Sequence, residues 1–476
     1  MAINLWWIRR DLRLADNQAL EAARKGAERL AVLYVLDTRL QASPNVGQKR
    51  LAFLLAGLHQ LDADLRARGS RLIVRSGDPR RILPEVTREL NVQAVFAEQD
   101  DTPYARSRDE AVEAQIPLQL VPGVTVVPPG SVSKVGGGSY VVYSPFKRSW
   151  QALPPPTEQG LLPMPDRLPP SPAASSDSIP STPTLSRASP FVPGEQEAWR
   201  RLKAFASGTE AAIHRYAEGR NRLDRDDTSE LSPYLRFGML SARRAVVSAR
   251  KAIEASSGAE QEKGARTWLD QLIWREFYIH ILAQHPQVLN HAFRPNMRNI
   301  EWVNDREGFE AWKSGMSGYP VVDAAMRQLK QTGWMHNRAR MIVASFLVKD
   351  LLIDWRWGEQ WFMQHLLDGD PACNNGGWQW TAGTGTDAAP YFRIFNPVLQ
   401  GRKHDPQGAY VRAWVPELEQ VPGRYVHAPW EMPSEAQRAA GCVIGVDYPR
   451  PMVDHGQARV RALEAFSRAR SRADAG

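Results

Sequence analysis

The sequence predicts an α/β fold class for the N-terminal part of the chain, a doubly wound parallel sheet, and an all-α fold class for the C-terminal part. Over the first 130 residues short apolar runs alternate with helical patterns, and from about Glu195 onward apolar residues recur at spacings of three and four. Residues 154–193, rich in Pro, Ser and Thr, predict an extended connector. We therefore expect an α/β domain over residues 1–130, an interdomain linker over 131–194 and a helical domain over 195–476.

Five short apolar runs are the predicted strands, at residues 3–8, 30–36, 71–75, 94–97 and 118–121. Strands covered by helices on both faces need this apolar character, and residues 49–68 and 80–90 are predicted helices between them. No glycine-rich dinucleotide fingerprint follows the first run, so an ordinary NAD-binding role is not expected. Ligands of such sheets bind at the carboxyl ends of strands, near Asp37, Asp100 and Arg108. Helix caps and surface charges are the alternative for these three residues.

The second half of the chain reads as helices, with clear periodicity over residues 267–283 and 338–352. Ten of the 16 tryptophans lie between Trp268 and Trp380. This concentration indicates either a heavily aromatic core or a site that stacks planar ligands or carries electrons.

Composition excludes several classes of protein. The chain has only two cysteines, so a disulfide framework is not expected, and no metal-ligand spacing surrounds them. A reducing, cytoplasmic location follows, with no apolar stretch of membrane-spanning length and no secretory signal at the start. The net charge of +8 fits a polyanionic partner such as nucleic acid, although many arginine-rich proteins bind none.

Two segments suggest a site for an anionic and planar ligand. Residues 227–236, DTSELSPYLR, place hydroxyl groups before a helical run, with Ser232 as the N-cap and Pro233 as the first helical residue. Such a helix start suits a pyrophosphate, and simple capping is the alternative. Residues 368–380, DGDPACNNGGWQW, combine carboxylates, asparagines and paired glycines that let the backbone approach a flat group. The alternative is an Asn-Gly turn beside two core tryptophans.

Two further segments suit a nucleic acid. In the predicted helix 267–283, Trp268, Gln271, Trp274 and Tyr278 share one face, which fits either base stacking or core packing. Asn337, Arg338 and Arg340 in WMHNRARM, with the later Arg393 and Lys403, suit phosphate contacts. A solvated surface is the alternative for any one of them.

Together these segments resemble the photolyase/cryptochrome family, most closely its class I cyclobutane pyrimidine dimer photolyases. The resemblance covers nearly the whole chain and rests on WIRRDLRLADN, TSELSP, QLIWREFY, the run from GYPVVDAAMRQLKQTGWMHNRARM to HLLDGD, NNGGWQW and FRIFNP. It implies an α/β antenna domain, a long linker and a helical domain that binds FAD and DNA. The implied activity is light-driven repair of cyclobutane pyrimidine dimers by electron transfer from excited, reduced FAD.

The resemblance also implies roles for individual residues. Asn374 faces the flavin N5, and electrons reach the flavin through Trp302, Trp355 and Trp378, of which Trp378 is nearest to the flavin. The other implied flavin contacts are Tyr216, Thr228, Ser229, Glu230, Leu231, Ser232, Trp268, Trp334, Arg340, Asp368, Gly369 and Asp370.

Damaged DNA, single- or double-stranded, is the implied partner, with the dimer turned out of the strand. The implied DNA or dimer contacts are Arg220, Gln271, Trp274, Asn337, Arg338, Met341, Gln379, Trp380 and Arg393. Gln271 departs from the Glu that class I enzymes usually carry there and is common in six-four enzymes and animal cryptochromes. A cryptochrome-like blue-light photoreceptor and a six-four-type photolyase are therefore the alternatives.

An antenna chromophore is implied as well, and 8-hydroxydeazaflavin is expected, with methenyltetrahydrofolate and FMN as alternatives. Folate-type members carry an Asn-Glu pair where this chain has Tyr104 and Ala105. The residues that match deazaflavin-binding members are Asp37, Arg50, Asp100, Arg108 and Arg236. We expect a monomer without a metal ion.

Overall fold

The computed structural model describes residues 2–134 and 136–474. They form two compact units, each assembled from separate parts of the chain. Unit 1 contains residues 1–217, 228–286 and 367–373, and unit 2 contains residues 218–227, 287–366 and 374–476. The predicted domain boundaries near residues 130 and 194 stay a prediction.

Unit 1 is built on a five-stranded, all-parallel sheet, which confirms the predicted fold class. The strands are β1 (Ile3–Ile8), β2 (Arg29–Asp37), β3 (Leu72–Gly77), β4 (Ala94–Glu98) and β5 (Leu118–Val121), in the order β3-β2-β1-β4-β5. The order reverses between β1 and β4, so the carboxyl ends of these two strands open a crevice of the kind that binds ligands in such sheets.

The sheet is covered by helices whose positions agree closely with the predicted ones. Residues 49–68 and 80–90 correspond to Gln48–Arg66 and Pro79–Glu89. The other helices of the sheet region are Gln18–Arg24, Thr38–Gln41 and Pro103–Glu113. Unit 1 also contains Tyr143–Gln151, Glu195–Ala206, Ser232–Arg236, Ala242–Glu254, Ala259–Gln284 and most of Ala212–Gly219.

The predicted connector, residues 154–193, contains neither helix nor strand and runs along the edge of the sheet. The backbone N–H of Asp177 donates to Val74 O at 2.8 Å, and the Val74 N–H donates to Ser176 Oγ at 2.9 Å. These bonds satisfy an outer strand whose backbone groups would otherwise attract another chain.

Unit 2 is helical, with a core of buried aliphatic and aromatic side chains. The predicted single helix 338–352 ends earlier, because Asn337–Ser345 passes into a wider π-helical turn, Phe346–Asp350. Its other helices are Arg306–Ser314, Pro320–Thr332, Trp355–His365, Pro397–His404, Ala409–Trp414, Ser434–Ala439 and His455–Asp474, together with most of Pro371–Ala382. Short 3-10 turns occur at Pro286–Leu289, Pro295–Met297, Pro416–Leu418 and Pro429–Glu431.

Two features are absent from the residues that the structure describes. No helix among them combines the length and the apolar character needed to cross a membrane. Nor do residues 2–134 and 136–474 bring together three or more His, Cys, Asp or Glu side chains that could hold a metal ion.

Candidate functional site

An acidic turn in unit 1, residues 368–370, is clamped by two arginines. Arg10, two residues beyond β1, donates through Nη2 to Asp370 Oδ2 at 2.6 Å. Arg236 donates through Nε to Gly369 O at 2.8 Å. Burial alone would raise the pKa of Asp370, but Arg10 and Arg236 hold that pKa below its usual range. The turn is therefore rigid, and Asp370 is ionised.

Asp370 also fixes the start of the helix Pro371–Ala382. Its Oδ1 accepts hydrogen bonds from the backbone N–H groups of Ala372 and Cys373, both at 3.0 Å. A carboxylate in this position satisfies orphan N–H groups and favours the positive end of the helix dipole. The cap therefore fixes the first turn of the helix. Gly376 and Gly377 lie inside the helix, so the Asn-Gly turn considered as an alternative is wrong.

The hydroxyl-rich segment 228–232 lies in unit 1, with one correction to its predicted cap. The helix begins at Ser232 itself, and Leu231 is the N-cap without a side-chain hydrogen bond. Pro233 is therefore the second helical residue and not the first. Ser229 Oγ accepts from Trp268 Nε1 at 3.3 Å, and Glu230, in a left-handed conformation at φ 48°, pairs with an arginine side chain.

The aromatic face predicted on the helix Ala259–Gln284 divides into two regions. Trp268 is buried against Phe205, whose ring also contacts Tyr216. Trp274 is half-buried and stacks on Tyr143, with ring centroids 3.7 Å apart and an interplanar angle of 6°.

Gln271 lies between these regions and is weakly engaged. Its Nε2 approaches Thr267 O at 3.5 Å, the outer limit of a hydrogen bond. Its amide oxygen accepts no hydrogen bond from the part of the chain that the structure describes. The amide is therefore available to a ligand.

The five predicted antenna residues come together at the carboxyl end of the sheet. Burial raises the pKa of Tyr34, and the charges acting on its hydroxyl include Arg236, Asp37 and Arg108. Asp37 accepts from the Tyr104 hydroxyl. Asp100 lies 3.6 Å from Arg10, so the strand end of β1 meets that of β4.

This cluster contains arginine side chains whose burial disfavours their charged form. Burial, together with Arg10, lowers the pKa of Arg236 to about 9. Burial lowers the pKa of Arg50 to about 10, although Asp368 and Asp370 act in the opposite direction. Arg108 stacks its guanidinium on the rings of two aromatic residues, Trp7 and Tyr104. Buried arginines with lowered pKa values favour an anionic ligand.

In unit 2 the side chain of Asn374 is held in one orientation. Its Nδ2 donates to the backbone carbonyl of Glu359 at 3.0 Å. Because a carbonyl can only accept, the amide oxygen must point to the other side. Among the described residues no hydrogen bond reaches that oxygen. The side chain therefore offers a fixed acceptor.

The three tryptophans of the implied electron route lie in unit 2 with graded burial. Trp378 is 2% exposed, Trp355 is 3% exposed, and Trp302 is half-buried. A side chain at Gly358 would place its Cβ 2.1 Å from Trp378 Cη2, so the helix Trp355–His365 packs directly on this indole. Val303 N donates to Leu352 O at 2.8 Å, which ties the segment of Trp302 to the residues before Trp355.

A positively charged cluster in unit 2 contains several of the implied DNA contacts. Arg338 donates to the neutral Asn221 Oδ1 at 2.7 Å, and burial together with Arg220 lowers the pKa of Arg338. Burial, with Arg338 and Arg340, lowers the pKa of His336 to about 4, so this ring is neutral at pH 7. Two close guanidinium groups with an uncharged partner suit a phosphate.

The remaining implied DNA contacts have different surroundings in unit 2. Asn337 is exposed and its Nδ2 lies 3.8 Å from Met341 Sδ. Trp380 is half-buried and Arg393 is exposed. Gln379 is 2% exposed, and its amide bonds Val288 O, His291 O, Asn375 Oδ1 and the N–H of Phe293. The Gln379 amide thus has a full set of internal partners.

Sequence reasoning missed three residues that shape these sites. Arg10 joins the acidic turn to Asp100, Tyr34 lies near three of the predicted antenna residues, and Glu359 orients Asn374. Arg10 lies two residues beyond the end of β1, so the rule that ligands bind at strand ends could have identified it. The sequence could not identify Glu359 in the same way, because its contact with Asn374 is made by the backbone carbonyl, which every residue has.

The donor and acceptor groups fit FAD in each unit taken separately. Unit 1 supplies hydroxyl groups, which suit a pyrophosphate, and the carboxylates of Asp368 and Asp370, which suit the hydroxyl groups of a ribityl chain. Unit 2 supplies the fixed acceptor of Asn374, one helical turn from Trp378. The indole N–H of Trp378 is buried and has no hydrogen-bond partner within the described residues.

Comparison with known proteins gives a consistent result over the whole chain. A family model described as DNA photolyase matches residues 4–166, and one described as the FAD binding domain of DNA photolyase matches residues 268–468. The deoxyribodipyrimidine photo-lyase of Escherichia coli is 40% identical over 491 residues, which cover 99% of each chain.

Solved structures also match nearly the whole chain. A bacterial class III photolyase from Agrobacterium tumefaciens matches with a TM-score of 0.91 at 36% identity, covering 99% of this chain and 98% of that one. A cryptochrome from Synechocystis matches with a TM-score of 0.87 at 30% identity, covering 98% of this chain and 99% of that one.

Proposed function

Because the chain belongs to the DNA photolyase family, we propose that it is a deoxyribodipyrimidine photo-lyase that splits cyclobutane pyrimidine dimers in DNA under light. Bound FAD, in its reduced form, supplies the excited electron that opens the dimer and then returns. The fixed acceptor on Asn374 carries this proposal, since an N–H at the flavin edge is a matching donor.

We assign the flavin contacts from the family motifs, and the surroundings of several residues support the assignment. The clamp of Arg10 on Asp370 keeps a carboxylate ionised as an acceptor for sugar hydroxyls. Arg340 and Trp334, in unit 2, and Trp268, in unit 1, complete the proposed set with Tyr216 and residues 228–232.

Damaged DNA is the proposed substrate, held by the charged cluster and by aromatic side chains. Arg220 and Arg338 are proposed phosphate contacts, because their positive charges are close together and Arg338 is paired with a neutral amide. Trp274 has one ring face covered by Tyr143, so its other face is the one proposed to pack on the extruded dimer. In unit 2, the further proposed DNA contacts are Trp380, Asn337, Met341 and Arg393.

Gln271 is proposed to bind the edge of a pyrimidine. Its amide can accept from an N–H and donate to a carbonyl, and the structure leaves the amide oxygen available. We propose that Gln379 acts indirectly, by holding residues 288–293 in place through its four hydrogen bonds.

An antenna chromophore that is anionic is proposed for the cluster around Tyr34. The lowered pKa values of Arg50 and Arg236 support a ligand of negative charge, such as 8-hydroxydeazaflavin. The absorption spectrum of the purified protein between the near ultraviolet and the blue tests this choice, and a folate or FMN spectrum would contradict it.

We propose that the protein acts as a monomer in the cytoplasm, where DNA is available and its cysteines stay reduced. Size-exclusion chromatography with light scattering checks the oligomeric state. A dimer at micromolar concentration would contradict the monomer.

The deciding experiment is a repair assay with defined lesions. FAD-loaded, reduced protein is mixed with an oligonucleotide that contains one cyclobutane thymine dimer, and recovered thymines are counted with and without blue light. We expect recovery only in light and none from an oligonucleotide with a six-four lesion. Repair of the six-four lesion alone would favour the six-four type, and light-driven flavin reduction without repair of either lesion would favour a photoreceptor.

A further inference from the structure

A second row of aromatic side chains starts at Trp378 in unit 2. The ring centroid of Trp312 lies 6.2 Å from that of Trp378, at an interplanar angle of 70°. Phe309 stacks on Trp312 at 5.7 Å and 14°, and Trp357 contacts Phe309 at 5.2 Å and 65°. Rings in van der Waals contact therefore connect Trp378 to Trp357.

The two outer tryptophans of this row differ in their access to water. Trp312 is 0% exposed, and its indole N–H donates to Val343 O at 3.0 Å. An oxidised Trp312 would have no water to take its proton. Trp357 is only half-buried, so an oxidised Trp357 can release its indole proton to solvent. Trp312 is thus suited to pass an electron on, and Trp357 is suited to be the final donor.

A third tryptophan nearby, Trp361, lies outside this row. The ammonium group of Lys313 lies 4.6 Å from the ring centroid of Trp361 and 5.0 Å from that of Phe309. This ammonium group is paired with Glu310 at 2.5 Å, so its charge is balanced, and the ring of Trp361 packs on His365 with centroids 3.7 Å apart. Trp361, which is also half-buried, is therefore a matched control for Trp357.

One helix carries a donor of each row. Gly358 packs against Trp378, and Trp355 lies three residues earlier on the same face of the helix Trp355–His365. Trp357 is adjacent to Gly358 in sequence and therefore points from a different side of that helix. The backbone of this helix brings both rows to the same inner indole.

We propose that Trp312 and Trp357 form a second electron-donor row that refills Trp378 in parallel with Trp355 and Trp302. The proposal rests on the proposed function, because it needs a photoexcited flavin as the electron acceptor. Trp378 gives one electron to that acceptor, Trp312 gives one to Trp378, and Trp357 gives one to Trp312. Phe309 stays unoxidised and only fills the gap between the last two rings.

The charges balance at the outer end of the row. Trp357, as a cation radical, loses its indole proton to water and becomes a neutral radical. A small thiol in solution gives it a hydrogen atom and restores the tryptophan. Two thiyl radicals then combine to a disulfide.

The test interrupts the first row and asks whether the second still supplies electrons. FAD-loaded protein with oxidised flavin is excited by a blue flash, and transient absorption records the yield of long-lived tryptophan radical. We expect Trp355→Phe to retain a measurable yield and the double variant Trp355→Phe with Trp357→Phe to lose it. The matched double variant Trp355→Phe with Trp361→Phe should keep the yield of Trp355→Phe alone.

Two results would overturn the second row. One is a complete loss of the radical in Trp355→Phe alone. The other is an equal loss of radical yield in the two double variants, Trp355→Phe with Trp357→Phe and Trp355→Phe with Trp361→Phe. The visible spectrum of bound flavin serves as a folding control. Dimer repair after chemical reduction by dithionite does not need this row, so repair by the single variants Trp357→Phe and Trp361→Phe separates a failure of the row from a failure of the proposed function.

Discussion

Removal of the Arg10 side chain should loosen the start of the helix Pro371–Ala382. The guanidinium of Arg10 and the carboxylate of Asp370 are 2.6 Å apart, with side chains 11% and 9% exposed. Breaking one side of a buried ion pair costs about 3–5 kcal/mol. Asp370 keeps its bonds from two backbone N–H groups and the field of Arg236, so Arg10→Ala should cost about 3 kcal/mol, the lower end of that range.

Hydrogen exchange measures this change where it occurs. A loss of about 3 kcal/mol in local opening free energy corresponds to ~100-fold faster exchange of the Ala372 and Cys373 amides. Arg10→Lys keeps the positive charge but can make only one contact. Its exchange rates at these two amides should therefore lie between those of the wild type and of Arg10→Ala. Arg66→Ala is the control, because Arg66 is paired with Asp62 at 2.8 Å but its side chain is 62% exposed. This substitution should change the local opening free energy by under ~1 kcal/mol.

The effect of Arg10→Ala has a defined pH dependence. The pKa of Asp370 is held below its usual value in the folded state, so its stabilisation is present above about pH 4 and is lost as the pH falls through the lowered pKa. The difference between the wild type and Arg10→Ala should therefore shrink below about pH 4. Equal exchange in both proteins at pH 7, or a difference that grows on acidification, would refute the assigned role of the pair.

Three further predictions concern the substrate path and the flavin side. Gln271→Glu should raise dimer repair per absorbed photon by about fivefold, the rate equivalent of ~1 kcal/mol for a stronger hydrogen bond, and equal quantum yields would show that the amide is harmless. Arg338→Ala should lower the slope of log affinity against log salt by about 0.7–0.9 for dimer-containing DNA, whereas the exposed Arg402→Ala should leave it unchanged. Burial raises the pKa of Glu359 to about 7, so the free-energy cost of ionising this carboxyl in the folded protein grows between about pH 4 and 7. Glu359→Gln removes that cost, so its stability relative to the wild type should be greater at pH 8 than at pH 5 by up to about 3 kcal/mol. Thermal or urea unfolding at the two pH values measures the difference.

The sheet could be predicted closely because its strands are local and apolar. Buried parallel strands show as apolar runs, and β1 and β5 have the bounds that the sequence predicts. The helix predicted over 338–352 was too long, because periodicity does not distinguish α-helical from π-helical turns. Lys349 in the π turn donates to Ala382 O at 2.9 Å, a contact with a distant segment.

Long-range pairs were beyond the reach of the sequence. Arg10 and Asp370 are separated by 360 positions, and no local pattern links them. The cap at Ser232 was misplaced by one residue, because a serine before a proline is equally compatible with either position at a helix start. Family resemblance supplied the site residues that physical patterns left ambiguous, such as Trp378 and Trp380, which differ in burial although they are only two residues apart.

The cap on the helix Pro371–Ala382 connects these observations. Asp370 fixes the first turn, and Asn374 and Trp378 follow four residues apart, so both project from one face of the helix. A shift of one residue in the register would turn the Asn374 amide by about 100° and break its bond to the Glu359 carbonyl. The fixed acceptor and the proposed first electron donor thus share one face of a single helix. Arg10 keeps the Asp370 carboxylate ionised and in place, so it stabilises the first turn of this helix.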